Sequence, residues 1–182
     1  QVKKTKTKQV STIHGPSLLT DHDIYLFKEG SHFSLYDKLG AHPFVHKGAK
    51  GTLFAVWAPE AARVSVIGEF NSWHKSSHPL SARWDGSGIW EGFIAGVEAG
   101  AFYKYHVVSR HAGYSADKGD PFAFSWEAPP RTASIVCDLT YQWQDDEWMK
   151  DRHRANGLHA PMSVYEVHPG SWCRAVERNN GF

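Results

Sequence analysis

Cysteine is scarce: Cys137 and Cys173 are the only two in 182 residues, too few for the disulfide framework of a small secreted domain. An excess of charge of either sign is missing as well. Lys and Arg total 20 against 19 Asp and Glu, a formal net charge of +1, which removes the electrostatic case for a nucleic-acid or membrane-surface partner. No apolar run approaches the ~18 residues of a transmembrane helix, and no apolar stretch follows the polar segment Gln1 to Gln9, so no secretory signal is expected. These absences predict a reduced, cytoplasmic protein that binds neither nucleic acid nor membrane. Phosphate-cradling Gly-rich loops and Gly-x-Ser-x-Gly elbows are absent too, so no cofactor is expected. The 12 His are scattered. His74 and His78 lie four apart, but Pro79 and the Ser76-Ser77 pair argue against a helix that would align them, and no metal site is expected.

What is abundant is aromatic: 8 Trp, 7 Tyr and 10 Phe. Such rings serve both cores and stacking surfaces, so buried and exposed ones must be told apart. The first nineteen residues, with Lys3, Lys4, Lys6 and Lys8 set among Thr and Gln, read as a solvated tail. Thr20 followed by Asp23 caps a short helix, and Leu39-Gly40-Ala41-His42-Pro43 marks a boundary. From Gly51 to Leu139 the pattern is β throughout. Apolar or alternating runs at Thr52–Ala58, Arg63–Gly68, Ile89–Ile94, Ala101–Val108, Tyr114–Ala116 and Ala133–Leu139 are separated by Gly, Pro, Asn and Ser. Short strands at roughly 8–12-residue spacing predict an antiparallel sandwich. Trp57, Trp90 and Cys137 fall within these strands and are expected in the core. Beyond Leu139 the texture changes. Asp145 is expected to cap a charged helix ending near Gly157, and Met162–His168 reads as one more strand, without an obvious partner in the sandwich.

The fold expectation is therefore all-β: an immunoglobulin-like β-sandwich over residues 45–140, an N-terminal tail and arm over 1–44, and a linker segment over 141–182. The local pattern that carries chemistry is Gly68-Glu69-Phe70-Asn71-Ser72-Trp73. It sets Trp73 in a polar loop with His74, Lys75, Ser76 and Ser77. An indole in that company suits a sugar, whose C–H face stacks on the ring while hydroxyls bond to Lys and Asn. The alternative is a rim ring that seals the core. Lys104, between Tyr103 and Tyr105, is either a second sugar donor or a solvated strand residue. Asp145, Asp146 and Glu147 read as a helix-start cluster that complements the macrodipole, not as catalytic carboxylates, and no catalytic residue is assigned. Cys173, near the end of the sequence, is expected to be exposed and open to intermolecular oxidation.

In order, the runs Phe54-Ala55-Val56-Trp57-Ala58-Pro59, Val64-Ser65-Val66, Gly68 to Trp73, Gly88-Ile89-Trp90, Tyr103-Lys104-Tyr105 and Asp120-Pro121-Phe122-Ala123-Phe124 resemble a known module. It is the starch- and glycogen-binding module that precedes the catalytic barrel in amylase-superfamily branching and debranching enzymes. The kinase β subunits that bind glycogen carry a relative of it. The segments Leu19–Phe27 and Leu35–His42 look like the region before the module in bacterial glycogen branching enzymes. Tyr165-Glu166-Val167-His168-Pro169-Gly170-Ser171-Trp172 is similar to the first strand of their (β/α)₈ barrel, which runs to ~250 residues.

The resemblance implies a glucan partner with α-1,4 and α-1,6 links. Trp73 and Lys104 match the glucan contacts, with Asn71 an auxiliary donor. Tyr114 stands near the position of a second family Trp. The catalytic barrel of the same enzyme is the other implied partner. The parent activity it implies is retaining transfer of an α-1,4 chain to a 6-hydroxyl, with one carboxylate as nucleophile and another as acid/base. Those carboxylates match nothing in this sequence, so no catalysis is expected from it alone. Two other readings compete. A glycogen-binding scaffold or regulatory subunit has no use for the barrel-strand motif at Tyr165 to Trp172. A structural spacer would pack on the barrel with little glucan affinity.

Overall fold

The computed structural model describes residues 12–13, 15–111, 113–168 and 171. The expectations for the lysine tail of residues 1–11, for Trp172 and for Cys173 lie outside the described residues. The chain divides after Leu139 into two units.

The first unit is a sandwich of two antiparallel sheets. One sheet contains β1 (Thr12–Ile13), β2 (Gly40–His46), β3 (Ala49–Trp57), β5 (Ser81–Ala82) and β6 (Ile89–Ala95), in the order β1-β6-β3-β2 with β5 also paired to β6. The other contains β4 (Ala61–Gly68), β7 (Phe102–Ser109), β8 (Ser115–Lys118), β9 (Ser125–Trp126) and β10 (Ser134–Ile135), in the order β4-β7-β10-β9 with β8 also paired to β7. Alternation sends Phe54 and Val56 of β3, Val64 and Val66 of β4, Ile94 of β6, and Tyr103 and Tyr105 of β7 into the space between the sheets. Each such side chain contributes ~1.5–3 kcal/mol by leaving water.

The first sheet is covered on its outer face as well, which is why Leu53 to Val56 reads as an unbroken apolar run. Helix α1 (Asp21–Glu29) lies there, and Leu19, Ile24, Leu39, Ala55 and Ile89 form a second core beneath it. Its capping box is present: the Asp23 N–H donates to Thr20 Oγ1 at 3.2 Å and the Thr20 N–H donates to Asp23 Oδ2 at 2.8 Å. Gly30 closes the helix in the left-handed region, at φ 84°, where a glycine costs nothing sterically.

Three expectations change in this unit. Residues 12–19 are not all tail, since β1 pairs with β6 and Leu19 is buried. The stretch Leu39 to Pro43, read as a boundary, opens strand β2, whose edge position tolerates the missing N–H of Pro43. Trp57 is 54% exposed, because the alternation of β3 sends it to the outer face with Ala55. Its indole donates to the Ser87 carbonyl at 3.1 Å and meets the Phe27 ring edge-on. Trp90 does pack against the central core, and its Nε1 donates to Ala58 O at 2.9 Å. Cys137 is half-buried.

In the second unit, helix α2 (Asp146–Ala155) is exposed at every residue, acidic in its first turn and basic in its last, as the macrodipole favours. Asp145 occupies the N-cap but makes no side-chain capping bond. The strand expected at Met162–His168 is not formed: residues 161–168 have no regular secondary structure, and all are exposed. A β-period in one segment does not by itself make a strand, since the ladder bonds come from a second segment. Among the described residues no helix is long and apolar enough to cross a membrane.

Candidate functional site

Strand β4 ends at Gly68, and the chain then turns sharply. A Cβ at Gly68 would collide with the Phe102 carbonyl and the Phe70 ring, so only glycine lets the backbone pass. A 3₁₀ turn over Glu69–Asn71 follows, and then two consecutive non-glycine residues in the left-handed region: Ser72 at φ 53° and Trp73 at φ 58°. Each costs roughly 1–2 kcal/mol for an L-residue. The turn is held from within. The Trp73 N–H donates to Gly68 O at 2.8 Å, and the Ser72 N–H donates to Glu69 O at 3.1 Å.

Asn71 is the keystone. Its Oδ1 accepts the Gly68 N–H at 3.0 Å, while Nδ2 donates to Val66 O at 2.9 Å and to His78 Nδ1 at 2.7 Å. Both amide hydrogens are thus engaged inward, one on the Val66 carbonyl and one on a His78 ring that is buried against Phe70. The outcome is a Trp73 indole left 38% exposed on a strained, fixed backbone. Strain of this kind persists where the surroundings over-determine it.

Strand register sets Lys104 beside this turn. Lys104 pairs with Ile67, one residue before Gly68, on the face of β7 opposite the core tyrosines. Its Nζ donates to Thr132 Oγ1 at 2.8 Å. Two positions along β7 on the same face, His106 Nδ1 lies 2.6 Å from Asp117 Oδ1 on β8, and Lys75 Nζ from the Trp73 loop lies 3.4 Å from Asp117 Oδ2. Burial pushes the Asp117 carboxyl up, but hydrogen bonds from His106 and Lys75 outweigh it and hold the group below its ordinary value.

Tyr114 is not brought to this cluster. The Ser109 N–H donates to Tyr114 O at 3.0 Å, so Tyr114 sits at the far end of the β7–β8 hairpin. Five residues of strand separate that point from Lys104, about 17 Å at ~3.3 Å per residue. Its ring is 54% exposed, with Lys118 Nζ 6.0 Å above it. Next to Thr132 a cleft of about 420 Å³ opens between Phe102, Trp126, Pro129, Pro130 and Ile135.

Together the outer face of the second sheet offers a fixed indole, an ammonium donor, a hydroxyl and a self-neutralised Lys–Asp pair. Such a surface suits a neutral, polyhydroxylated ligand with an apolar face. Asp117 and Thr132 escaped the sequence reading because a lone polar residue on a strand or in a loop looks like any solvated one. The register of β8 with β7 was the only signal that would have found Asp117. His74 bonds to Ser77 at 2.9 Å and His78 turns to Asn71. Among the described residues no group of His, Cys, Asp or Glu has the makings of a metal centre.

Comparison with known proteins matches this region. Residues 38–123 fit the profile of carbohydrate-binding module 48 (isoamylase N-terminal domain). The 1,4-alpha-glucan branching enzyme GlgB of Aquifex aeolicus is 52% identical over 166 residues, which are 91% of this chain and 26% of that protein. GlgB of Albidiferax ferrireducens is 53% identical over 155 residues, 85% of this chain and 24% of that protein. GlgB of Synechococcus elongatus is 45% identical over 181 residues, 96% and 23% respectively. The chain spans about a quarter of the length of these relatives. Residues 38–123, which hold the Trp73 turn and Lys104, thus match carbohydrate-binding module 48, and the chain as a whole is similar to about a quarter of the length of the GlgB branching enzymes.

Proposed function

We propose that this chain binds α-1,4/α-1,6 glucan of the glycogen and starch type, as the accessory module of a 1,4-alpha-glucan branching enzyme in the cytoplasm. The observation that carries the reading is the Trp73 indole, exposed on a doubly left-handed turn beside Lys104. Trp73 is the stacking platform and Lys104 a hydroxyl donor. Asn71 serves the site by fixing the turn, since its amide hydrogens are engaged inward. Tyr114 is a remote second platform for a longer chain, and the cleft at Phe102 and Ile135 continues the surface past Thr132. The module performs no bond cleavage. Transfer of an α-1,4 chain to a 6-hydroxyl is assigned to the catalytic barrel of the whole enzyme, toward which residues 141–182 lead.

Affinity electrophoresis in glycogen-containing gels tests this. Wild-type protein is retarded, and Trp73→Ala migrates as in a glycogen-free gel. Unretarded wild-type protein favours a second reading, in which the module only packs on the barrel. That reading is supported by the apolar residues around α1, where Tyr25 is 60%, Phe33 91% and Trp57 54% exposed.

A further inference from the structure

The most exposed tryptophan of the sandwich is not Trp73. Trp84, at the tip of the β5–β6 hairpin in the first sheet, is 86% exposed. A single exposed ring is ordinary on a protein surface. This one stands on an unusually well-anchored turn. The Arg83 N–H donates to Ile89 O at 2.9 Å. The Arg83 side chain is 7% exposed and donates through Nε to Asp85 Oδ2 at 2.7 Å, and through Nη1 to Glu91 Oε1 at 2.6 Å and Ser17 Oγ at 2.8 Å. Asp85 Oδ1 accepts the Ser87 N–H at 2.9 Å, and Lys28 of α1 donates to the Asp85 carbonyl at 2.5 Å. The backbone on either side of the indole is therefore held in place before a ligand arrives, which lowers the ordering cost of contact.

Beside it lies a groove of about 350 Å³, lined by Ser17, Leu19, Ser81, Arg83, Trp84 and Glu91. Its lining charges are the Arg83 guanidinium and the Glu91 carboxylate, which neutralise each other, so the wall offers no free cation to a phosphate or other anion. The same buried ionic group is too polar for a lipid. A carboxylate has about four lone-pair sites, and Glu91 accepts only from Arg83 and Ser17 among the bonds described. Acceptor capacity remains for hydroxyl donors, opposite a flat apolar ring.

We infer that Trp84 and Glu91 form a second saccharide site, for a neutral hexose oligomer stacked on the indole with hydroxyls donating to the carboxylate. It is on the first sheet, whereas Trp73 follows β4 of the second, so one module engages two branches of a polymer. Linked sites of this kind raise avidity without raising either single-site affinity. The inference does not depend on Trp73 being a site.

The test uses the full chain with maltoheptaose in calorimetric titration and with glycogen in affinity gels. Wild-type protein takes up two oligosaccharides. Trp84→Ala takes up one, and its glycogen affinity falls about tenfold. Trp84→Tyr, which keeps a ring, recovers most of that loss and separates stacking from disturbance of the fold. A stoichiometry of one in wild-type protein, with unchanged glycogen affinity in Trp84→Ala, overturns the inference. If Trp73→Ala then abolishes binding, the Trp73 site stands alone. If Trp73→Ala has no effect while Trp84→Ala does, the Trp73 reading falls and this one stands.

Discussion

Lys75 Nζ lies 3.4 Å from Asp117 Oδ2, which ties the loop that carries Trp73 to β8, on the far side of β7 from β4. The same carboxylate holds His106 at 2.6 Å. One acidic side chain thus orders a loop and a strand that the sequence separates by about thirty residues.

Replacing Asp117 by Ala frees the loop without opening the core. The exposed Lys75 pair contributes ~1 kcal/mol or less, while loss of the bond to the buried His106 ring costs about 1–3 kcal/mol, so the melting temperature falls by a few degrees without loss of the fold. Glycogen affinity is expected to fall a few-fold, because Trp73 loses order. Unchanged affinity in the gel assay would remove Asp117 from the positioning role.

Substitutions at the turn should act in opposite directions. Trp73→Gly relieves a left-handed L-residue and is expected to leave unfolding stability unchanged or raise it by up to ~1 kcal/mol, while abolishing glucan binding. Gly68→Ala forces a Cβ against the Phe102 carbonyl and is expected to cost about 1–3 kcal/mol. Urea titrations of the two variants decide the matter. Equal destabilisation by both would mean that Trp73 is a packing residue.

Asn71→Ala deletes three hydrogen bonds and strands the Gly68 N–H, at an expected cost of about 2–4 kcal/mol. Asn71→Asp keeps the acceptor for Gly68 and loses the two donors. Its stability should fall between those of wild type and Asn71→Ala, with glucan affinity reduced in proportion to the disorder of the turn. Chemical denaturation and the gel assay, run on the same samples, follow both.

Acid should release α1 early. Burial pushes the Asp23 carboxyl up, but hydrogen bonds from the Thr20 N–H and hydroxyl, His32 and Lys38 overwhelm that and hold it far below its ordinary 3.8. A carboxylate lowered on folding contributes stability that is present above the unfolded value and lost as pH falls. The contribution of Asp23 therefore fades below pH 3.8. Hydrogen exchange of the α1 amides measured from pH 5 to pH 3 should show it, and Asp23→Asn should flatten that dependence.

Asp120 has the opposite sign. It is fully buried, accepts from Tyr103 Oη at 2.6 Å, Tyr105 Oη at 3.2 Å and the Phe122 N–H at 2.8 Å, yet burial outweighs these bonds and pushes its carboxyl above 3.8. A carboxyl raised on folding contributes stability that is present below its unfolded value and lost as pH rises through its folded one. Asp120→Asn should remove that loss above pH 4. It should also cost about 1–3 kcal/mol at every pH, because one amide end cannot accept. Denaturant midpoints at pH 4 and pH 7 measure both effects.

The sandwich was legible because Phe54, Val56, Val64, Val66 and Tyr105 repeat with a period of two and Gly or Pro punctuates them. Strand β2 was not, since His42, Pro43 and His46 hide the period of an edge strand. Trp57 misled because a strand buried on both faces gives no sign of which ring lies at its exposed end. Trp73 and Lys104 could be named from their neighbours. The inward engagement of Asn71 could not, because it depends on His78 and Val66 arriving from two different segments. Met162 to His168 had the pattern of a strand but takes no regular secondary structure, because pairing is a property of two segments and not of one.

The turn from Gly68 to Trp73 closes on itself through one main-chain bond, with a fixed number of residues inside it. Insertion or deletion of a single residue there would break that closure and rotate the indole away. Length variation among homologous modules should therefore be excluded from this turn. It should accumulate instead at the tip after Ser109, where Arg110, His111 and Gly113 are exposed and loop length is free to drift.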